Sequence, residues 1–222
     1  MESILSFLRD LAQNNNREWF NEHKKNYQES LDLFREFAAE LLTGMVQFDP
    51  TLGDLVPKET IFRIYKDVRF SKDKSPYKIH FGCWMTKGGR KSSDAGYYFH
   101  LEPDNSFMAA GVYMPPKEQL KLIRQEIVFN PGAYLEVINN RVISKGYERG
   151  GKEDILKKGP AGFPKDFEHL EEIKYKHFIF SKNYRDSETV KKGFSQKVVV
   201  DFQGLLPLVD YLNHAMSFTG NE

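Results

Sequence analysis

An α+β protein with a mainly antiparallel sheet is what this sequence predicts, on three observations. Apolar residues at helical spacing occupy both ends of the chain, and the region from about residue 61 to 114 alternates with the two-residue period of strands. The order of elements also lacks the strict strand–helix alternation of a parallel doubly wound sheet. A late strand near residue 178 is expected to join the others, with helices from both ends covering the sheet. No internal repeat, low-complexity tract or composition shift divides the chain, so residues 1–222 are read as a single domain.

The first helix is expected from Ser3 as cap, with Ile4, Phe7, Leu8 and Leu11 on one stripe. The run Asn14-Asn15-Asn16 breaks it and offers a second cap. A long helix then carries Phe20, His23, Tyr27, Leu31, Phe34, Ala38, Leu41 and Met45 along one side and ends near Gly44. His23 on that stripe reads as a packed histidine, and "FDPTLGD" as a loop. From Ile61 to Phe70 one parity is apolar (Phe62, Ile64, Val68, Phe70) and the other polar (Arg63, Tyr65, Asp67, Arg69), which predicts a strand. Lys66 falls on the apolar parity, so either a bulge re-aims it or a cation projects into a partly buried surface.

"KIHFGCWMT" and "GYYFHLE" are the next strands, and the turn "PDNS" joins the second to "FMAAGVYM" as a hairpin. Helices return after Pro115-Pro116, first with Leu120, Ile123 and Ile127. A second starts at Asn130-Pro131 and runs through Leu135, Ile138 and Val142 to Lys145-Gly146. Glycine, proline and lysine mark residues 147 to 166 as loop with one short strand. "KYKHFIFSK" is the late strand, and two helical patterns, about Asp186 to Phe202 and Leu205 to Phe218, close the chain.

Composition excludes several classes. Hydrophobic residues make up 40% and aromatics 14%, an ordinary globular balance. With 32 basic and 31 acidic residues, a broadly basic nucleic-acid protein is not indicated. The amino terminus has too short an apolar run for a signal peptide, and no stretch approaches the roughly 20 apolar residues of a membrane span, so a cytoplasmic protein that does not enter membranes is expected. Cys83, the single cysteine, excludes an intramolecular disulfide and a multi-cysteine metal site; within "IHFGCWM" it reads as a buried, inert thiol.

Charge is uneven nonetheless. From Phe62 to Lys91 nine Lys/Arg face only Asp67 and Asp73, a local excess of +7 in a chain whose total is +1. The segment "FRIYKDVRFSKDKSPYKIHFG", with "GYYFHLEPDNSFMAAGVYMP" and "LKLIRQEIVFNP" after it, resembles the bacterial proteins grouped as domain-of-unknown-function family 2461, also found as a region of longer fungal proteins. The likeness extends to "LKKGPAGFPKD" and "LLPLVDYLNHA", nearly the whole chain. The family's signature maps onto Arg63, Asp67, Arg69, Phe70, Lys74 and Tyr77, and the arginine it places before Asp67 is Lys66 here. Lysine keeps the charge but loses the planar two-pronged donor. The resemblance implies no particular reaction, so residue chemistry has to supply one.

Arg63, Lys66 and Arg69 are candidates to hold an anion, with Lys74, Tyr77 and Lys78 closing over it and Asp67 and Asp73 as supports. The competing reading makes the same residues an ion-pair network that locks a loop to the sheet. His80 and His100, with Tyr98 on the face of His100, are candidate proton carriers, and Glu102 shares that face. In one register they would face Arg63, Tyr65 and Arg69. Whether the protein is an enzyme stays open. No His-x-x-x-His or paired cysteines occur, so no metal is assigned, and a His80–His100–carboxylate site is geometrically open without any spacing that signals it. No glycine-rich nucleotide cradle or Gly-x-Ser-x-Gly elbow is present, and no cofactor is indicated.

The charge is focused, which favours a small phosphorylated or carboxylated ligand over a polymer. The alternatives are a single-stranded nucleic-acid module, in which Phe62, Tyr65, Phe70, Tyr77, Phe81 and Trp84 interleave with the cations, and an interaction domain for an acidic partner. The sequence does not fix the oligomeric state.

Overall fold

The computed structural model describes residues 1–69 and 71–217. In chain order its helices are α1 (Glu2–Gln13), α2 (Arg17–Glu22), α3 (Lys24–Met45), α4 (Pro57–Thr60), α5 (Lys117–Phe129), α6 (Pro131–Asn139), α7 (Arg141–Gly146), α8 (Leu170–Ile173), α9 (Asp186–Thr189), α10 (Phe194–Gln203) and α11 (Leu206–Ser217). The strands are β1 (Phe81–Met85), β2 (Gly96–Leu101), β3 (Ser106–Val112), β4 (Glu148–Arg149) and β5 (Phe178–Tyr184). They form one antiparallel sheet in the order β1-β2-β3-β5-β4, which makes the fold α+β. None of the described helices is long and apolar enough to cross a membrane.

The chain divides into two compact units. The first comprises Met1–Arg90, Tyr98–Met108 and Asn183–Val200, and the second comprises Lys91–Tyr97, Ala109–Lys182 and the described residues from Asp201 onward.

In the first unit the alternation of β1 and β2 sends Phe81, Cys83, Met85, Phe99 and Leu101 into a core with α3. Phe34 stacks on Phe81 at 5.3 Å and Phe37 tilts against Phe99 at 4.8 Å. Each such ring removes a large apolar area from water, and the pairs add about 0.5–1.5 kcal/mol beyond burial. Burial pushes the Cys83 thiol up to about 12, so it is an inert core residue.

In the second unit α5, α6 and α11 pack Ile123, Ile127, Tyr134, Ile138, Leu208 and Leu212 together. Gly111 has φ +123°, and a β-carbon there would meet the Phe178 carbonyl oxygen at 2.0 Å, so this strand position admits only glycine.

Several boundaries differ from expectation, each for a local reason. α1 begins at Glu2, so Ser3 lies inside it and caps nothing. The long stripe is split at His23, which ends α2; its Nδ1 lies 2.8 Å from the Trp19 carbonyl and its ring stacks on Trp19 at 4.0 Å. Asn16 does cap α2, accepting from the Trp19 N–H at 3.0 Å. α3 runs through Gly44 to Met45. Asn140 interrupts the helix expected to reach Gly146 and caps α7 by accepting from the Val142 N–H at 2.9 Å. Gly193, with φ +82°, separates α9 from α10. The expected end of the last helix, Phe218, lies outside the described residues, as does Phe70.

The largest difference concerns the segment from Ile61 on. Its alternation of burial holds, with Ile64 buried and Arg63, Tyr65, Asp67 and Arg69 exposed, yet it forms only isolated bridges at Ile61↔Cys83 and Tyr65↔Tyr77. Three backbone bonds hold it: Phe62 N–H to the Gly82 carbonyl (2.9 Å), Lys66 N–H to the Pro76 carbonyl (2.9 Å) and Lys78 N–H to the Ile64 carbonyl (2.7 Å). Pro76 has no N–H to return, which interrupts a regular ladder at this point. Asn15 supplies the missing order, since its side chain donates to the Tyr77 carbonyl (3.0 Å) and accepts from the Tyr77 N–H (3.1 Å).

Candidate functional site

Residues 98, 100 and 102 share a parity along β2 and just beyond it, so their side chains line up on the face opposite Phe99 and Leu101. They form a hydrogen-bonded chain. Tyr98 Oη lies 2.9 Å from His100 Nδ1, and His100 Nε2 lies 3.0 Å from Glu102 Oε2. Asn105 Nδ2, in the hairpin turn, donates to the same Glu102 oxygen at 2.7 Å. As a carboxylate, Glu102 accepts from both, which places the His100 proton on Nε2 and leaves Nδ1 to accept from the Tyr98 hydroxyl. The His100 ring is held between Phe107, stacked at 4.7 Å, and His80, tilted at 4.1 Å.

Glycine makes the arrangement possible. A β-carbon on Gly82 would stand 2.6 Å from Tyr98 Oη, so the tyrosine lies across β1 only because that strand is bare there.

Burial dominates the electrostatics of this cluster. His80 is pushed down to about 4 by burial and then by the neighbouring His100, with Lys78 and Lys66 acting in the same direction and Glu102 opposing. Burial also lowers His100, opposed by its bond to Glu102. The Tyr98 hydroxyl is pushed well above its ordinary range, first by burial. The face therefore carries neutral imidazoles and a protonated phenol at neutral pH.

Phe62 links the cluster to the basic segment. Its ring meets Tyr98 edge-on at 6.2 Å, while Lys78 Nζ and Arg90 Cζ lie 5.4 and 5.3 Å from its centroid. Burial, then Arg63 and Arg90, lower the Lys78 pKa, so Lys78 feels both arginines. Among the described residues, no carboxylate forms an ion pair with Arg63, Lys78 or Arg90. Arg90 also donates to the Ile61 carbonyl.

The other expected anion ligands are engaged within the loop. Lys66 Nζ donates to Asp73 Oδ2 (2.8 Å) and Ser75 Oγ (2.7 Å), and this bond, with those from Ser75, holds the Asp73 carboxyl far below its usual range. Arg69 grips Asp67 through Nε (2.9 Å) and Nη2 (2.6 Å), which lowers Asp67. Lys74 donates to the Val68 carbonyl (2.9 Å). Tyr77 is buried, stacked on Phe20 at 3.9 Å.

The structure thus brings His80, Tyr98 and His100 together, pairs Lys66 and Arg69 with aspartates of the loop, and sets Lys78 and Arg90 against the Phe62 ring, with Arg63 close enough to act on Lys78. The register also differs from the one considered. Phe62 stands beside Tyr98, while Tyr65 lies near Phe20 and Tyr77. Of the aromatic residues that suggested stacking on bases, Tyr77 and Phe81 are buried and Tyr65 is exposed.

Sequence reasoning places Glu102 on the face of His100 without giving it a site role, and it did not select Asn105, Phe107, Gly82 or Arg90. Only Glu102 carried a signal, its place two residues beyond His100. A separate cavity of about 570 Å³ borders the hairpin turn and residues 183–188, but its lining mixes Asp104, Asp186 and Glu188 with Arg185 and includes none of the imidazoles. Asp186 is already occupied there by Arg9 (2.5 Å) and the Asp104 N–H (3.0 Å).

Fold and site together define an α+β domain with a histidine-bearing sheet face beside a basic segment. A family model described as a conserved hypothetical protein (DUF2461) matches residues 3–211, and the chain belongs to that family. No curated protein and no solved structure matches it.

Proposed function

We propose that the sheet face around Phe62, Tyr98 and His100 binds a small phosphate- or carboxylate-bearing molecule and moves protons on it. The observation that carries this reading is the trio Arg63, Lys78 and Arg90, unmatched by any ion-paired carboxylate among the described residues, beside the Tyr98–His100–Glu102 chain. Cations held near one another repel, and although Arg63 also acts on Asp67, an anion placed among the three lowers that repulsion. Arg63 and Arg90 offer planar forks suited to a phosphoryl or carboxyl group, and Lys78 supplies a point charge. The hydroxyl of Tyr98, hydrogen-bonded to His100 and through it to Glu102, forms a path along which a proton can travel to or from a bound group.

Thermal unfolding of chelator-treated protein tests the reading. Inorganic phosphate, or one phosphorylated compound, should raise the melting temperature where the dephosphorylated compound does not, and a double variant Arg63→Ala/Lys78→Met should lose the rise. If single-stranded nucleic acid stabilises the protein with steep salt dependence while small anions do nothing, the site is a polymer-binding surface instead.

A further inference from the structure

We infer that His80, His100 and Glu102 form a binding site for a divalent transition-metal ion, with two imidazole nitrogens and one carboxylate oxygen as its protein ligands. The inference deepens the anion-site reading by supplying a cofactor for the same face, and it rests on that reading only for what the ion would then help to bind.

One donor atom from each of the three residues lies within 4.8 Å of the other two. Ligands about 2.0–2.2 Å from a common ion stand roughly 3–3.5 Å apart, so small side-chain rotations of His80 and Glu102 close the set. His100 lies on β2, Glu102 directly follows that strand, and His80 directly precedes β1, its neighbour in the sheet, so all three ligands are carried on or immediately beside paired strands.

Supporting contacts of the kind that metal ligands require are already in place. His100 has its second ring nitrogen on the Tyr98 hydroxyl, and with the ion on Nε2 the imidazole proton moves to Nδ1 and is donated to Tyr98 Oη. Asn105 Nδ2 fixes the Glu102 carboxylate. Phe107 forms an apolar wall against the His100 ring. The ion takes the place now held by the proton between His100 Nε2 and Glu102 Oε2.

Two nitrogens and one oxygen suit zinc, iron(II), cobalt, nickel or manganese rather than calcium or magnesium, which take oxygen ligands. Three protein ligands leave at least one position open, as catalytic sites do and closed structural sites do not. Lys78 and Lys66, both near His80, oppose a bare cation. An anion shared between the ion and the trio of cations relieves that repulsion, so each should tighten the binding of the other.

Cobalt(II) is the direct probe, because its visible absorption reports nitrogen coordination with no activity required. Titrated into the full-length, chelator-treated chain in phosphate-free buffer, it should saturate near one equivalent and be displaced by zinc. Glu102→Gln and His80→Asn should each weaken the binding by more than the roughly 10–100-fold that loss of a supporting contact costs, with circular dichroism as the check on folding, and His214→Asn should leave it unchanged. No cobalt band in the wild type, or a band that survives both substitutions, overturns the inference.

Should one variant unfold, the other decides. Lys78→Met should keep cobalt binding while losing the phosphate response, so failure of the metal site and failure of the anion site are read separately.

Discussion

Gly82 lies directly beneath the hydroxyl of Tyr98, with 2.6 Å between the place of an absent β-carbon and the phenolic oxygen. The strand gives up a side chain at this position so that Tyr98 can reach His100.

Gly82→Ala should therefore push Tyr98 aside and break its bond to His100. Overpacking of this kind costs about 1–3 kcal/mol, which urea denaturation will read. Tyr98→Phe removes the hydroxyl without the clash. If Gly82→Ala proves as stable as the wild type, Tyr98 does not lie across β1.

Asn15 holds both backbone groups of Tyr77, tying the basic segment to the turn between α1 and α2. Asn15→Ala should cost about 1–3 kcal/mol, since two hydrogen bonds are lost at roughly 0.5–1.5 kcal/mol each. Limited proteolysis should also cut sooner within residues 66–76. Asn15→Asp keeps the acceptor but loses the donor and should fall between the two.

Lys78→Met keeps the stem on Phe62 and removes the charge. Relief of repulsion from Arg63 and Arg90 should leave the ligand-free variant at least as stable as the wild type at low salt. The difference should shrink as the screening length falls from about 30 Å at 0.01 M to about 8 Å at 0.15 M ionic strength. Melting temperatures across a salt series decide this, and a variant less stable at every salt concentration would count against an uncompensated trio.

The loop's own ion pair has a pH signature. Asp73 titrates below the ordinary aspartate value of 3.8 in the folded state, mainly because Lys66 bonds its carboxylate. A depressed folded pKa means the ionised form favours folding, so the contribution is fully present above 3.8 and fades as pH falls through the lower folded value. Asp73→Asn should lower the melting temperature at pH 6 and approach the wild type in strong acid. Asp73 is largely exposed and Lys66 half-buried, so the difference at pH 6 is small and weakens with salt.

Cys83 should stay unreactive toward thiol reagents in the native protein and react once it is unfolded, because burial both hides it and disfavours the thiolate. Rapid native labelling would show that β1 opens.

The face of β2 was legible because a strand's period is fixed at two. Tyr98, His100 and Glu102 had to share a side by that rule. The placement of His80 beside His100 depended on pairing between neighbouring strands, which one-dimensional alternation does not encode. The segment from Ile61 kept its alternation of burial but not its ladder, because Pro76 withholds a donor and Asn15, far away in sequence, supplies the order.

Charge misled in a specific way. Lys66 and Arg69 stood out as cations in a run, yet each has an aspartate within seven residues that neutralises it. Arg90 lay beyond the motif and, like Arg63 and Lys78, forms no ion pair among the described residues. Helix breaks at His23, Asn140 and Gly193 interrupt stripes whose hydrophobic period continues across them, so caps and glycine geometry set those boundaries rather than the apolar pattern.

The closeness of Lys78 and Arg90 at Phe62, with Arg63 acting on Lys78, bears on how the protein should be handled. If these three charges take an anion as proposed, phosphate or sulfate in a purification buffer would quench them before any assay began, and a screen run that way would report an indifferent surface. Preparations in a zwitterionic buffer with a monovalent halide leave the electrostatic tension in place, ready to be discharged by whichever anion fits.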